Sequence, residues 1–296
     1  MLRLTVVFLL CSIMLFTGCT SAPTDSEIAG MPENTAVLFS SLAEIWLEAG
    51  GRIGITVGEA VERGFAPEDT PLVDDGAGKN INLELLISLE PDLVICSADI
   101  PAQAEAAKVL EEAGIPTLLC RVESFAEYLA VLETMTQITG CTDAYEEGLA
   151  LQTEIDEILF SLRSLPAKEI LFVRAGSTAS STKAKLAEDH FACAMLEEMG
   201  CLNIAANAPV LLDGLSMEAI LLADPDHIFF SLMGSEETAL ANVSALLAGE
   251  AWGRLTAVQQ GNVTVLPKEL FHYKPCSRWA DAYRYLADVL TQDGES

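Results

Sequence analysis

Two adjacent side chains near the end of the chain could contact a metal centre or a flat ring. His272 and Tyr273 lie in the segment ELFHYKPCSR and supply an imidazole, a phenol and two rings that can stack. The three histidines are separated by 37 and 45 residues, so the spacing of a catalytic zinc site such as HExxH is missing. The pair suggests contact with a ligand that already carries its metal. Packing of a loop against the last helix is the other interpretation.

Basic residues are scarce in this sequence, yet several fall in two short segments. The chain has 16 Lys and Arg against 44 Asp and Glu, a formal net charge of −28, which argues against nucleic acid or an anionic membrane surface as a partner. The clustered basic residues are Arg174, Lys183, Lys185, Lys268, Lys274 and Arg278. The clustering suggests an anionic or metal-chelated ligand, although loops carry exposed charge by default.

Strand-like and helix-like patterns alternate in both halves of the chain and must position these residues. The first half reads TAVLF, SLAEIWLEAGG, INLELLISLE, PDLVICS, AQAEAAKVLEEAG, IPTLLC and SFAEYLAVLETMTQITG. The second half reads KEILFVR, DHFACAMLEEMG, SMEAILLA, PDHIFFS, NVSALLAGEAW, GNVTVLP and a last helix from about Arg278 to Leu290. The repeated order predicts two α/β lobes, each with a mainly parallel sheet covered by helices.

A long helix is predicted between the two lobes. Leu151, Ile155, Ile158 and Leu162 recur at spacings of four, three and four, which places them on one helical face. From residue 141 to 163 such a helix would be about 35 Å long. One helix packed along both lobes should permit only small tilts between them.

Ligands of open α/β sheets bind beyond the carboxyl ends of the strands, so the loops after the strands predict the pocket. We expect a cleft between the lobes and a pocket formed by residues of these loops. The predicted pocket residues are Ser40, Ser41, Arg174, Lys183, Met233, His272 and Tyr273.

Two similar octapeptides, ELLISLEP from Glu84 and EAILLADP from Glu218, occupy the same place in the two lobes. Each predicts a short helix that leads through Pro-Asp into a buried strand. Asn82 and Ser216 are suitable N-caps, and a carboxylate two residues later favours the positive end of the helix dipole by about 0.3–1 kcal/mol. Capping explains a glutamate in each lobe but does not require the same one in both.

The first nineteen residues have the pattern of a secretory signal. One positive charge at Arg3 precedes an apolar run that is too short to span a bilayer, and small residues and a cysteine follow it. The ending LFTGC resembles a bacterial lipoprotein box, in which Cys19 would be lipidated. The polar segment after it predicts a flexible tether.

Six cysteines remain when Cys11 and Cys19 are set aside. Several of them end buried strands or lie within helical patterns, and we expect free, mostly buried thiols. The apolar residues Trp279, Tyr283 and Leu286 recur at helical spacing and are expected to face the core.

Residues 36 to 291 resemble the periplasmic binding proteins of the iron-siderophore, haem and cobalamin uptake type. The resemblance is carried by NLELLISLEPDLVI, VLEEAGIPTLL, SMEAILLADPDHIFF, AWGRLTAVQQGNVTVLP and FHYKP. It implies two lobes joined by one long helix and a metal complex bound between them, with no catalytic group, no cofactor and no direct metal ligand beyond contacts from His272 or Tyr273. It also implies that Glu84 and Glu218 dock onto arginines of the permease of an ATP-driven importer.

These observations predict a monomeric, extracytoplasmic, lipid-anchored binding protein. The predicted segments are a signal peptide over 1–19, a tether over 20–35, an N-terminal lobe over 36–140, a linking helix over 141–164 and a C-terminal lobe over 165–296. Two alternatives stay open. One is a two-lobed metal or cofactor enzyme of the chelatase or nitrogenase-like type, and the other is a surface receptor without an importer.

Overall fold

Four short strands form the parallel sheet of the N-terminal lobe, in the order β2-β1-β3-β4. The computed structural model describes residues 30–75 and 80–292. The elements of this lobe are β1 (Thr35–Val37), α1 (Ser40–Glu48), β2 (Ile55–Thr56), α2 (Gly58–Glu62), α3 (Leu83–Ser88), β3 (Leu93–Ser97), α4 (Pro101–Glu112), β4 (Thr117–Cys120) and α5 (Phe125–Thr139). The central strand β3 is buried along its whole length, as its apolar run predicts for a parallel strand covered on both faces.

The sheet of the C-terminal lobe has the order β6-β5-β8-β9, and β7 pairs with the start of β5. Its pairs are parallel except for β6, which is antiparallel to β5. The elements are β5 (Glu169–Ala175), β6 (Lys183–Ala184), α7 (Phe191–Glu198), β7 (Leu202–Asn203), α8 (Val210–Asp213), α9 (Met217–Ala223), β8 (His227–Leu232), α10 (Glu236–Leu247), α11 (Thr256–Gln260), β9 (Val263–Val265), α12 (Lys268–Phe271) and α13 (Trp279–Gln292), with α6 (Thr142–Leu162) before them.

One apolar core extends through both lobes. Along β5, Ile170 and Phe172 face the core that also contains the N-terminal sheet, whereas Leu171 and Val173 face a second core in the C-terminal lobe alone. Successive side chains of a strand point to opposite faces, so β5 takes part in both cores. One face of the C-terminal sheet therefore belongs to the core that continues into the N-terminal lobe.

The linking helix α6 packs against α5 and α13. Ile155 and Leu162 are buried, and Leu151 and Ile158 pack against the core, so the predicted apolar face is confirmed. At Gly148 an added Cβ would lie 2.8 Å from a methyl of Leu129, which is closer than real Cβ contacts and shows how tightly α6 approaches α5. The helix is held along its length rather than suspended between the lobes.

Residues 272–278, here named the strap, connect the lobes a second time. Lys274 Nζ lies 2.5 Å from Glu123 Oε1, and the backbone N–H of Ser277 donates to Glu48 Oε1 at 3.0 Å. The strap leads into α13, whose Trp279 is fully buried, with its ring 6.2 Å from that of Phe125 in the N-terminal lobe. Trp279, Tyr283 and Leu286 of α13 face the core, as the sequence predicts.

Several elements differ from the sequence predictions. The strand β2 and helix α2 were not predicted, because two paired residues and a five-residue helix are too short to show a periodic pattern. Helix α10 begins at Glu236, six residues before the predicted start at Asn242, and ends at Leu247. Glu236 and Glu237 occupy its first turn, where negative side chains favour the helix dipole.

The six cysteines of the described residues form no disulfide and remain thiols, as predicted. Five are buried and Cys141 is half-buried. Burial raises the pKa of the Cys96, Cys120 and Cys193 thiols to about 12, so they are protonated at neutral pH.

Within residues 30–75 and 80–292, no helix is both long enough and apolar enough to cross a bilayer. The predicted signal segment with Cys19, and the tether up to residue 29, lie outside the described residues.

Candidate functional site

A cleft of about 450 Å³ lies between the lobes, at the carboxyl ends of their strands. Arg174 and Leu232 stand at the ends of β5 and β8, and Glu123 follows β4, so the location agrees with the rule for open α/β sheets. The residues that line the cleft are Phe39, Glu59, Glu123, Arg174, Asp189, His190, Phe191, Ser231, Leu232, Met233, Gly234, Phe271, His272, Tyr273 and Lys274. Both lobes and the strap contribute to it.

His190 is held as a neutral imidazole in the wall of the cleft. Its Nδ1 accepts the backbone N–H of Ala192 at 3.2 Å, so Nε2 carries the proton and donates to Ser231 Oγ at 3.0 Å. The ring packs between Phe172 and Phe191, with centroids 4.8 and 5.1 Å away. Burial, with smaller effects of nearby cations, lowers the pKa of His190 to about 3.

His272 presents one free ring nitrogen from the strap. Its Nδ1 donates to the carbonyl of Leu232 at 3.3 Å, which leaves Nε2 as an acceptor. Burial lowers the pKa of His272, so the neutral form is favoured. A neutral imidazole with an unshared Nε2 can accept a hydrogen bond or contact a metal.

Tyr273 lies against an arginine of the N-terminal lobe. The Arg63 guanidinium carbon is 4.0 Å from the Tyr273 ring centroid and 4.5 Å from that of Phe65. Arg63 is itself paired with Glu44 at 2.6 Å. Burial, with a further contribution from Glu59, raises the pKa of Tyr273, so its phenol stays protonated. The stack holds one edge of the strap to the N-terminal lobe.

Opposite charges meet at the cleft surface where the strap crosses. The Lys274–Glu123 pair is largely buried, with 13% and 17% of the two side chains exposed. The second carboxylate oxygen of Glu123 is buried and has no hydrogen-bond partner in the described structure. Desolvation, opposed by Lys274 and reinforced by Asp99, raises the pKa of Glu123.

Four of the seven residues predicted for the pocket come together in the cleft, and three do not. Arg174, Met233, His272 and Tyr273 line it. Whether they contact a ligand stays a prediction.

Ser40 and Ser41 are fully buried beneath the cleft wall, so the prediction that they contact a ligand is not supported. Ser40 Oγ donates to Glu59 at 2.5 Å, and Ser41 Oγ accepts the backbone N–H of Lys274 at 3.4 Å. They are the first residues of α1, which turn inwards, and Phe39 lies at the cleft instead. Both serines support groups that line the cleft.

Lys183 is also absent from the cleft lining. It lies in β6, in register with Arg174, but β6 runs back along the edge of β5 that faces away from β8. The sequence shows that Arg174 and Lys183 are close in the chain. It does not show that the segment containing Lys183 forms a strand antiparallel to β5.

Glu59, Glu123 and His190 line the cleft but were not predicted. Glu123 could have been found, because it lies three residues after the predicted strand that ends at Cys120. Glu59 lies in the helix α2 that shows no sequence pattern, and His190 precedes α7 at its N-cap.

The two octapeptides form closely matching structures in the two lobes. The side chains of Asn82 and Ser216 accept the N–H groups of Leu85 and Ala219, at 3.0 and 3.5 Å. Glu90, two residues after the end of α3, and Asp224, the C-cap of α9, have φ angles of 49° and 44° in the left-handed region. The predicted N-caps are thus confirmed.

The aspartate after each proline accepts an equivalent backbone hydrogen bond in both lobes. Asp92 accepts the N–H of Asn34 at 3.0 Å, just before β1, and Asp226 accepts the N–H of Glu169 at 2.8 Å, at the start of β5. Glu84 and Glu218 themselves are exposed and form no ion pair within the described residues. Local structure accounts for most of the repeat, and the two glutamates remain available to a partner.

The described residues contain no group of three or more His, Cys, Asp or Glu side chains that could hold a bare metal ion. A larger groove of about 760 Å³ lies on the C-terminal lobe beside Glu169, Leu202 and Leu222, at the amino end of β5. The cleft is the stronger candidate, because polar groups of both lobes converge there.

A family model described as periplasmic binding protein matches residues 36–270 of this chain. An uncharacterized ABC transporter substrate-binding lipoprotein, YvrC of Bacillus subtilis (strain 168), is 24% identical over 237 residues, which cover 79% of this chain and 69% of the relative.

Solved structures share the fold at low sequence identity. The periplasmic vitamin B12 binding protein BtuF of Vibrio cholerae superposes with a TM-score of 0.72 and 19% identity, covering 90% of this chain and 99% of that one. The periplasmic heme-binding protein RhuT from Roseiflexus sp. RS-1, in apo form, superposes with a TM-score of 0.69 and 18% identity. The match covers 89% of this chain and 99% of RhuT. Staphylococcus aureus SirA complexed with staphyloferrin B superposes with a TM-score of 0.61 and 18% identity. The match covers 90% of this chain and 94% of SirA.

Proposed function

The chain belongs to the periplasmic binding protein family, and we propose that it is the extracytoplasmic substrate-binding lipoprotein of an ABC importer. It captures a metal complex, an iron-siderophore, haem or a corrinoid, between its lobes and delivers the complex to the permease. The permease with its ATPase is the protein partner, and the binding protein works as a monomer.

The observation that carries this proposal is the cleft between the lobes. A volume of about 450 Å³ falls in the range of small-molecule sites, and polar groups of both lobes converge on it. The absence of a bare metal site within residues 30–75 and 80–292 favours a ligand that brings its own chelator. The relatives named for vitamin B12, heme and staphyloferrin B support the same ligand class.

We assign the ligand contacts to four residues of the cleft. Arg174 binds a carbonyl or carboxylate group of the ligand, Met233 supplies apolar contact, and Tyr273 stacks or donates a hydrogen bond. His272 offers its free Nε2 to the chelate or to its metal.

Delivery and anchoring use parts of the chain outside the cleft. Glu84 and Glu218 pair with arginines of the permease, one from each lobe, and the lipid on Cys19 holds the protein at the membrane after residues 1–19 are processed. In this proposal the tether covers residues 20–35, the lobes cover 36–140 and 165–296, and the linking helix covers 141–164.

The enzyme alternative is not supported, because the family match is to binding proteins. A surface receptor without an importer differs from the proposal in one respect: replacing Glu84 and Glu218 together would leave uptake by cells unchanged.

Tryptophan fluorescence of the protein from residue 20 onwards tests the proposal. Trp279 lies 5.7 Å from Phe191, which lines the cleft, so a bound chromophoric chelate should quench its emission. We expect saturable quenching by one of ferric siderophores, haem or cobalamin, and no response to free ferric ion. A His272→Ala, Tyr273→Ala double variant should weaken binding, whereas Lys183→Ala should not. A folded protein that responds to none of these complexes would contradict the proposal.

A further inference from the structure

The cleft contains fewer available positive charges than the sequence suggests. Its charged lining residues are Glu59, Glu123, Asp189, Arg174 and Lys274. The clustered basic side chains Lys183, Lys185, Lys268 and Arg278 are absent from the lining. Three carboxylates therefore face two cations.

One of the two cations is already neutralised. Lys274 Nζ is bound to Glu123 at 2.5 Å in a largely buried pair. A ligand anion that recruited Lys274 would have to displace Glu123 and leave its carboxylate buried without a counter-charge, which is unfavourable. Arg174 is the single cation of the cleft that forms no ion pair within the described residues.

The other nitrogen groups at the cleft do not supply positive charge. His190 is held in its neutral form by its two hydrogen bonds and by the two phenylalanine rings that enclose it. His272 donates through Nδ1 and presents Nε2 as an acceptor. The guanidinium of Arg63, behind Tyr273, is paired with Glu44.

Two carboxylates remain without a neutralising cation in the lining. Asp189 is exposed at the rim, and Glu59 accepts a hydrogen bond from the Ser40 hydroxyl, which in turn accepts an N–H of Arg63 at 3.1 Å. The carboxylates of Asp189 and Glu59 therefore disfavour a further negative charge in the cleft.

We propose that the cleft selects metal complexes of neutral or positive net charge over polyanionic ones, and that Arg174 binds a single carbonyl or carboxylate group. This inference rests on the proposed function. It differs from the anionic ligand that the clustering of basic residues suggests, because the fold pairs those residues with acids or places them elsewhere. The formal charge of −28 on the whole chain acts in the same direction.

The test compares complexes that differ mainly in charge. Three ferric chelates serve as one series: a trihydroxamate with a protonated amine, a neutral trihydroxamate and a trianionic tricatecholate. Cyanocobalamin, without net charge, and haem, with two propionates, serve as a pair of macrocycles. Within whichever series binds, we expect the neutral or positive complexes to bind at least about tenfold more tightly than the anionic complex. The reason is that the carboxylates of the partly desolvated cleft repel a negatively charged complex. Raising the salt concentration should reduce this difference.

Two variants test the residues responsible. Glu123→Gln and Asp189→Asn should each shift the binding preference towards the anionic complex. For Glu123→Gln we expect a shift of about tenfold, because the substitution removes the carboxylate that neutralises Lys274. Asp189 is exposed, so its variant should fold even if the Glu123 variant does not. Asp288→Asn, on the exposed face of α13, is the matched control and should leave the preference unchanged.

Each result has a distinct meaning. Equal or tighter binding of the anionic complex, or a preference that neither variant alters, would overturn the inference and leave the proposed function standing. If the folded protein binds none of the five complexes, the proposed function fails and the inference fails with it.

Discussion

Lys274 and Glu123 form an ion pair at 2.5 Å that joins the strap to the loop after β4. With the bond from Ser277 to Glu48 and the burial of Trp279 against Phe125, it makes the strap a second connection beside α6. Motion of the lobes must therefore either preserve these contacts or break them. If α6 were the single connection, the lobes could tilt relative to each other in several directions. With the strap as a second connection, fewer directions of tilt are possible.

Removing one partner of this pair should destabilise the protein. Lys274→Ala leaves the largely buried Glu123 carboxylate without its cation, and we expect a loss of about 2 kcal/mol in the free energy of unfolding. Urea unfolding should show a lower midpoint with an unchanged slope. Lys108→Ala breaks an exposed pair with Glu105 and should cost less than about 0.5 kcal/mol. Equal effects of the two substitutions would show that the strap pair contributes no more than a surface contact.

The neutral His190 should make stability depend on pH. Its folded pKa of about 3 lies below the ordinary histidine pKa of 6.5, so between these values the unfolded state binds a proton that the folded state does not. The resulting stability is complete above pH 6.5 and is lost as the pH falls from 6.5 towards 3. Between pH 7 and pH 5 the wild type should lose about 2 kcal/mol more than His190→Gln.

Denaturant unfolding at several pH values measures this difference. From pH 7 to 8.5 the two proteins should change in parallel, because His190 is neutral in both states there. A constant difference between wild type and variant across pH 5 to 8.5 would mean that His190 is protonated equally in the folded and unfolded states.

Glu84 and Glu218 should affect uptake without affecting ligand binding. Both side chains are exposed on the first turns of short helices and lie outside the cleft. Their replacement by alanine should lower uptake in cells while the fluorescence titration stays unchanged, and should cost stability by no more than about 1 kcal/mol each. Glu157→Ala, an exposed glutamate of α6, is the control. Uptake should be compared at equal amounts of surface protein. Equal uptake by the double variant and the wild type would contradict the docking role.

Thiol labelling should distinguish one cysteine from the rest. In the protein from residue 20 onwards, Cys141 is half-buried and the other five cysteines are buried. We expect one fast-reacting thiol at pH 8 and five that react only on unfolding, because burial both blocks access and raises the thiol pKa. Cys141→Ser should remove the fast phase. A fast phase that persists in that variant would place a second cysteine at the surface.

The sequence by itself determined the features that depend on local patterns. The alternation of strands and helices, the apolar face of α6 and the N-caps at Asn82 and Ser216 each depend on residues within a few turns of one another. Such preferences act in the same way wherever the segment lies, so periodicity and capping chemistry are sufficient to predict them.

The tertiary structure alone decided which loop residues meet in the cleft. Ser40 is buried while its neighbour Phe39 lines the cleft, because the direction of a side chain depends on where β1 ends and α1 begins. Lys183 and Lys274 show the same dependence: β6 carries one away from the cleft, and Glu123 of the other lobe neutralises the other. These outcomes depend on pairing between residues far apart in the chain, and no local spacing in the sequence encodes that pairing.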